Sequence, residues 1–233
     1  MSFWEIFNYG FFGMLFGNSA SPEDIRMFWF GYILLAIVSY LVGSVNCGVI
    51  LSRKYGTDIR TKGSGNAGTT NMLRIYGKRA AIFTFLGDVL KSALASVIGR
   101  LFFGIMGAYV AGFFCIIGHA YPIFFKFRGG KGVVAISTMC LMTTPIVFLV
   151  MLAIFLIILF GFKMVSLASV MVMLIYPMVL YNMTFAGPHI LVAVLCSLFI
   201  IFLHRSNIVR IYRHEESKIS FGKKKKDNGE DGK

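Results

Sequence analysis

VVAISTMCLMTT (residues 133–144), followed at once by PIVFLVMLAIFLIILFG (residues 145–161), decides how this chain is threaded. A helix needs about 20 apolar residues to cross ~30 Å of hydrocarbon. The first piece, at 12 residues, would reach only ~18 Å. Joined to the second it makes one helix of 29 residues with Pro145 in its middle, where proline removes a hydrogen bond and clashes with the preceding turn. Six apolar runs read as spans: Met27–Leu51, Ala80–Gly104, Ile105–Phe125, Pro145–Gly161, Val165–Phe185 and Pro188–Leu203.

Charge settles whether residues 133–144 count separately. Arg53, Lys54, Arg60, Lys62, Arg74, Lys78 and Arg79 fill the first loop, Lys126, Arg128 and Lys131 a later one, and a basic tail runs from Arg205 to Lys233. Basic loops stay on the cytoplasmic side. The first span enters the cytoplasm, the second leaves and the third returns, so an even number of further crossings must bring the tail back. Val133–Thr144 therefore counts as its own segment, and the expected fold is all-α and polytopic. It has about seven transmembrane helices, N-terminus outside and C-terminus cytoplasmic. A re-entrant segment would satisfy the same parity.

Composition agrees. The 233 residues are 57% hydrophobic, 15% aromatic and only 14% charged, with mean hydropathy +0.76, far from the ~25% charged average of soluble domains. Soluble, disordered, collagen-like and disulfide-scaffold classes are excluded. The net charge of +13 lies in the gaps between apolar runs, as expected of loops facing anionic lipid, so membrane lipid and not nucleic acid is the expected partner. Cys47, Cys115, Cys140 and Cys196 are widely separated and show neither disulfide nor zinc-ligand spacing. Residues 1–26 begin with an aromatic-rich stretch unlike a cleaved signal and are expected to lie in the interface. Residues 27–218 form one integral-membrane domain, and 219–233, ending in a lysine-rich run with nothing apolar to bury, a disordered basic tail.

The dense polar sequence falls in three blocks. In the first, Gly43-Ser44-Val45-Asn46 and Asp58-Ile59-Arg60 precede Gly63-Ser64-Gly65-Asn66-Ala67-Gly68-Thr69-Thr70-Asn71, with Arg74 beyond. Small residues let successive backbone N–H groups converge on an anion, Thr69, Thr70 and Asn71 add side-chain donors, and Arg74 caps the cradle. The spacing Gly63-x-Gly65-x-x-Gly68 imitates a dinucleotide fingerprint, with Asp88 twenty residues on. No strand precedes it, however, and Asp88 lies within an apolar run.

The second block is Gly118-His119-Ala120-Tyr121-Pro122, leading to Lys126-Phe127-Arg128-Gly129-Gly130-Lys131-Gly132. Three cations among glycines let a phosphate approach the backbone closely. It is not a Walker A loop, because Phe125 stands where glycine is required and Val133 follows Gly132. The third is His204-Arg205-Ser206-Asn207-Ile208-Val209-Arg210. If the helix continues there, His204, Asn207 and Arg210 share a face. Ser166 and Ser169 supply hydroxyls at the same depth. Asp88 and Lys91, expensive in lipid, can pair across three residues, either as a structural pair or as support for the site.

Taken in order and spacing from Trp29 to Lys218, these motifs resemble the membrane-integral bacterial acyl-phosphate:glycerol-3-phosphate acyltransferases, the PlsY family. The resemblance implies a seven-helix fold. It implies transfer of a fatty acyl group from acyl phosphate to the sn-1 hydroxyl of glycerol 3-phosphate, giving lysophosphatidic acid and phosphate at the cytoplasmic face of the bacterial plasma membrane. The partners implied are the two substrates, acyl phosphate and glycerol 3-phosphate, and a soluble enzyme that supplies the acyl phosphate. No metal and no cofactor are implied. Carried over motif by motif, Ser64, Lys131, His204 and Asn207 are the expected catalytic residues. Gly63, Gly65, Asn66, Gly68, Thr70, Asn71, Arg74, His119, Gly129, Gly130 and Ser169 are expected to bind substrate. The chain departs from the family at Ser206, often Glu, and at Val134, usually a small residue.

Three rivals make different demands. A transporter of a phosphorylated solute should place its charges near the bilayer midplane, whereas these cluster at one face. A membrane scaffold leaves the Gly, Asn and Lys motifs unexplained. A CoA- or carrier-protein-dependent acyltransferase would show Asp five positions after a His, where this chain has Phe124, Val194, Val209 and Ile219.

Overall fold

The computed structural model describes residues 10, 11, 22–184 and 187–219, and among these every regular element is helical. Most of the expected interfacial segment 1–26 and nearly all of the expected tail 219–233 lie outside the described residues. Helix α1 (Pro22–Ser44) opens with Glu23 and Asp24 in its first turn, where acidic side chains complement the helix dipole. It does not run on to Leu51 as one straight span. The helix stops at Ser44, and Asn46 starts a second, α2 (Cys47–Lys54), its side-chain oxygen accepting from Val49 N at 3.1 Å.

Helix α3 (Thr69–Ala120) is 52 residues long and is interrupted at Gly77 and at Phe103–Gly104. Gly104 sits at φ +61°, a conformation open to glycine. Were the helix straight, Lys91 and His119 would be ~42 Å apart, yet Lys91 Nζ lies 2.9 Å from His119 Nδ1. The chain therefore reverses at Phe103–Gly104, and the expected spans 80–104 and 105–125 become the antiparallel arms of a hairpin. Close passage of the arms depends on two missing side chains: a Cβ on Gly99 would meet Gly107 O at 2.2 Å, and one on Gly107 would meet Gly99 O at 2.1 Å.

Residues 133–144 do not merge with the apolar run after them. Helix α4 (Val133–Thr143) ends at Thr144, whose backbone leaves the helical region (φ −141°, ψ 77°), and Pro145 occupies the first turn of α5 (Pro145–Phe162), where its missing N–H would have had no partner. Helices α6 (Val165–Met183) and α7 (Pro188–Leu203) complete the bundle, and a short α8 (Arg205–Tyr212) leaves α7 at 57°. The helix does not continue straight past His204, the condition on which the shared face rested; the end of α7 is a corner there. The main core joins Tyr109 and Ile116 of the hairpin's second arm to Ile136 and Met139 of α4, Val172 and Leu180 of α6, and Cys196 and Ile200 of α7.

The outer surface is as apolar as the interior. Ile146, Leu149 and Ile157 on α5 are 67%, 60% and 72% exposed. Patches of this kind require lipid as solvent. Among the described residues Glu23–Lys54, Thr69–Phe125, Pro145–Phe162 and Val165–Met183 are long and apolar enough to cross a membrane, and the bent α7–α8 pair is a fifth. The 11-residue α4 is shorter. The protein is a multi-pass membrane protein.

Gly107→Val should drive a side chain into the Gly99 carbonyl and destabilise the hairpin by roughly 1–3 kcal/mol, read as a lower midpoint of thermal unfolding in detergent. Gly161→Ala, at a position with nothing within 4 Å of a Cβ, should leave the midpoint unchanged or raise it.

Candidate active site

At one end of the bundle a cavity of about 720 Å3 is walled by the loop before α3, the hairpin's last turn, the loop before α4, the start of α6, the α7–α8 corner and the segment after α8. Of the residues expected in the site, Gly63, Ser64, Asn66, Gly68, Thr70, Asn71, Arg74, His119, Lys131, Ser169, His204 and Asn207 line it. Gly65, Gly129 and Gly130 do not.

The first wall is organised by Asn71, which is buried. Its Oδ1 accepts from Ser64 N at 3.0 Å, and its Nδ2 faces Lys62 O (2.9 Å), Asn66 O (3.0 Å) and Ile59 O (3.3 Å). The amide expected to donate to a ligand is committed to the loop. The N–H groups of Ser64 and Gly65 are likewise spent inside it, on Asn71 Oδ1 and Lys62 O. The cradle of loop amides is therefore replaced by the start of α3. Its N-cap, Gly68, brings no side chain to the first turn, and Gly68, Thr69, Thr70 and Arg74 all border the cavity. A helix N-terminus with uncapped N–H groups beside an arginine favours an anion. Arg60 is a strut: ion-paired to Asp58 at 2.6 Å, it donates to Phe125 O (2.6 Å) and Arg128 O (3.0 Å) and ties the first loop to the second.

In the second loop the glycines serve packing. Gly129 N and Gly130 N donate to Ala120 O and His119 O at 3.0 and 3.1 Å. A Cβ would meet His119 O at 1.9 Å from Gly129 and His119 Nε2 at 2.1 Å from Gly130. Both are pressed against the hairpin's last turn, and neither borders the cavity. Of the three cations in this loop only Lys131 reaches the cavity. Burial lowers its pKa to about 8, Glu216 opposing the shift and Arg210 adding to it. Its ammonium donates to Asn207 Oδ1.

The third wall contains a residue that the motifs missed. Glu216 accepts from Ser166 Oγ (2.7 Å), Asn207 Nδ2 (2.7 Å) and Arg210 Nε (2.8 Å). Burial works against its charge, but these donors hold its carboxyl below the usual carboxylate range. The chain brings it there by turning at His214 (φ +59°) and tying Ile219 N to Lys163 O at 2.7 Å. Two acids, Glu215 and Glu216, after a run of basic residues read as solvated surface, and only the return of the chain over α6 gives the second a role. His204, 3% exposed, faces Ile200 O through Nδ1 at 2.8 Å. A carbonyl can only accept, so Nδ1 carries the proton and Nε2 is an acceptor. Ser169 is buried, its hydroxyl turned back to Val165 O at 2.9 Å.

Asp88 and Lys91 do pair, at 2.9 Å, and His119 joins them: Lys91 Nζ lies 2.9 Å from His119 Nδ1 and donates to Val45 O (2.8 Å) and Gly43 O (3.1 Å). Asp88 and His119 border the cavity floor. The pair is therefore both structure and site support.

A second, apolar cavity of about 230 Å3 adjoins the first and shares Phe85, Val133, Val134, Phe155 and Ser169 with it. Among the described residues no group of three His, Cys, Asp or Glu could hold a metal ion.

A membrane-embedded bundle whose anion-binding pocket runs into a greasy slot defines an enzyme class that handles phosphorylated substrates with acyl chains. Residues 33–214 match the family model Glycerol-3-phosphate acyltransferase, and the chain belongs to that family. The glycerol-3-phosphate acyltransferase of Bacillus subtilis (strain 168) is 40% identical over 190 residues, 81% of this chain and 97% of that one. The enzyme of Finegoldia magna is 37% identical over 191 residues, 80% and 96%. The crystal structure of PlsY (YgiH), an integral membrane glycerol 3-phosphate acyltransferase in its glycerol 3-phosphate form, superposes with TM-score 0.78 at 32% identity, covering 82% of this chain and 96% of that chain. Its lysophosphatidic acid form gives 0.75 at 31% identity. The protein is a glycerol-3-phosphate acyltransferase of phospholipid biosynthesis.

Glu216→Ala should strand two buried donors, Ser166 Oγ and Asn207 Nδ2, each about 1–3 kcal/mol when left unsatisfied. It is expected to lower the unfolding midpoint and cut turnover at least tenfold, while Glu215→Ala, on the exposed neighbour, changes neither.

Proposed function

We propose that the protein transfers a fatty acyl group from acyl phosphate to the sn-1 hydroxyl of glycerol 3-phosphate, releasing lysophosphatidic acid and phosphate. The observation that carries this reading is the junction of the two cavities, where Arg74, Lys131 and Arg210 border the polar one and the shared residues open it onto an apolar slot. The forms in which PlsY (YgiH) has been solved, with glycerol 3-phosphate and with lysophosphatidic acid, support the acceptor and the product. Acyl phosphate as donor is supported by room for two phosphate-bearing groups and by the lack of any His with Asp five positions on. A soluble acyl-phosphate-producing enzyme would supply it.

The acyl phosphate is already activated, so the site has to hold two partners in register and stabilise the charge that develops. The acceptor's hydroxyl oxygen bonds to the acyl carbon, and a tetrahedral oxyanion forms. The bond from that carbon to the bridging oxygen then breaks, phosphate leaves with the electron pair, and the hydroxyl proton ends on the departing phosphate. Arg74 and the α3 N-terminus, with Ser64, Asn66 and Thr70 around them, hold the phosphate of glycerol 3-phosphate. Lys131 follows the charge onto the leaving phosphate. Asn207 positions Lys131 through Oδ1 and is itself held through Nδ2 by Glu216. His204 receives the hydroxyl at Nε2 and orients it.

The membrane reading extends in the same way. α1, the two arms of α3, α4, α5, α6 and α7 are seven apolar helical segments, which supports seven crossings. The basic loops gather at the end that holds the cavity, which supports a site facing the cytoplasm, with the N-terminus outside and the C-terminus inside.

Phosphate release by the purified protein in lipid should require both palmitoyl phosphate and glycerol 3-phosphate. Lys131→Ala should reduce it by ~10²–10³-fold, as expected for loss of a donor to developing charge. Release with palmitoyl-CoA as the sole acyl donor would overturn the donor assignment. The pH profile gives an independent check. Lys131 loses its charge as pH rises through about 8, so kcat/KM should fall above that pH, and Lys131→Arg should remove the basic limb. His204→Gln should keep the profile of the parent. An acidic limb lost in that variant would instead make His204 the base.

A further inference from the structure

The apolar slot has a definite far end. Val133, Ser137 and Cys140 on α4, Phe155, Leu152 and Phe148 on α5, and Ser169, Met173 and Tyr176 on α6 follow its walls. On each helix these positions span seven residues, two helical turns, so the slot is about 10 Å deep. Val133, Phe155 and Ser169 also border the polar cavity, which fixes them at the mouth and places Cys140, Phe148 and Tyr176 at the other end. Tyr176 is 1% exposed, and behind it the core is continuous through Tyr109, Val147 and Leu180, none more than 2% exposed. The side of the slot is different. Phe85 and Leu152 keep 44% and 38% of their surface exposed, leaving a flank towards lipid.

We infer that Tyr176 is the residue that sets acyl-chain length, closing the slot so that a chain extending from the polar cavity fits straight only as far as its ring. This rests on the proposed acyl donor. A chain that ends short of the ring leaves the end of the slot unfilled and loses contact with its walls. A longer chain must bend out past Phe85 and Leu152 into the bilayer. A tyrosine is suited to act as the stop, because its ring is stiff and here is packed from behind, so it cannot move away as a methionine would. Val133, Phe155 and Ser169 touch every chain alike and set binding without setting length.

The test is a series of acyl phosphates from octanoyl to stearoyl, offered to the wild type with glycerol 3-phosphate and read as the chain-length profile of kcat/KM. Tyr176→Ala should move the optimum to longer chains and raise the stearoyl-to-decanoyl ratio on the order of tenfold, the scale on which an apolar pocket discriminates methylenes. Tyr176→Trp should move it to shorter chains. If Tyr176→Ala fails to fold, Tyr176→Leu and Phe148→Ala probe the same end with smaller losses of volume. Phe155→Ala, at the mouth, should lower kcat/KM for all chains by a similar factor. An unchanged profile in the end-of-slot variants, or a uniform loss at every length, overturns the inference. No release by the wild type from any acyl phosphate overturns the donor reading instead, and the same variants are then scored on an acyl-CoA series by the same two criteria.

Discussion

The break in α1, the hairpin of α3 and the loop before α4 all depend on one buried ammonium. Lys91 meets Asp88 and His119 across the hairpin and at the same time donates to two carbonyls, Gly43 O and Val45 O, that lose their helical partners where α1 stops. Freed carbonyls at membrane depth have no water to turn to, so they need a donor of this kind. A charge in such a place is tolerable only when it is paired and its hydrogens are used. Lys91 therefore holds α1 and α2 at their break, joins the two arms of α3, and sets the ring of His119. That ring packs on Gly130 and the carbonyl next to it receives Gly130 N, so the loop bearing Lys131 inherits its position from the same ammonium.

The functional groups sit where helices are interrupted. Asn46 caps a new helix at the end of α1, Gly68 opens α3, and His204 turns α7 into α8. A continuous transmembrane helix satisfies its own backbone and has little to offer a polar ligand. An interruption releases N–H and C=O groups and forces polar side chains nearby to answer them, as Lys91 does for α1. Breaks gathered at one end of a bundle thus supply donors and orienting groups without any strand among the described residues.

Much of this is legible in the order of residues. The short apolar run before Pro145 and the charge on either side of it separate α4 from α5, and the hairpin arms appear where the apolar stretch 80–125 is cut after Gly104. The motifs name Lys131, His204, Asn207 and Arg74, because cations and amides at the ends of apolar runs have few structural uses. The breaks at Val45 and His204 are not legible, since each depends on a partner distant in sequence: Lys91 for the first, and for the second Ser166, which helps to hold the Glu216 that takes Asn207 and Arg210 of α8. Asn71 misleads for a similar reason. An asparagine in a glycine-rich loop has the same chemistry whether its amide faces a ligand or four backbone groups, and only the path of the loop decides. Gly129 and Gly130 look like room for phosphate, yet the room is filled by His119.

Glu216 has the further effect of tempering the site's positive charge. Arg74, Lys131 and Arg210 border one cavity, and with no acid nearby they would repel one another and bind any anion at hand. The carboxylate takes Arg210 and Asn207 for itself. On the proposed reading this leaves Arg74 and Lys131 as the cations for substrate, and the charge of Glu216 keeps the Lys131 pKa from falling further than about 8. Burial strengthens each remaining attraction but also favours the neutral amine, and these two effects meet at Lys131. A bound phosphate adds negative charge beside that ammonium and stabilises its proton, so the residue becomes most firmly charged when phosphate is present. An ordinary lysine in water would be charged at all times and held by its own hydration. In the proposed reaction the partly desolvated Lys131 gains more from the anion than it would in water, and most from the leaving phosphate, whose charge grows as the acyl bond breaks.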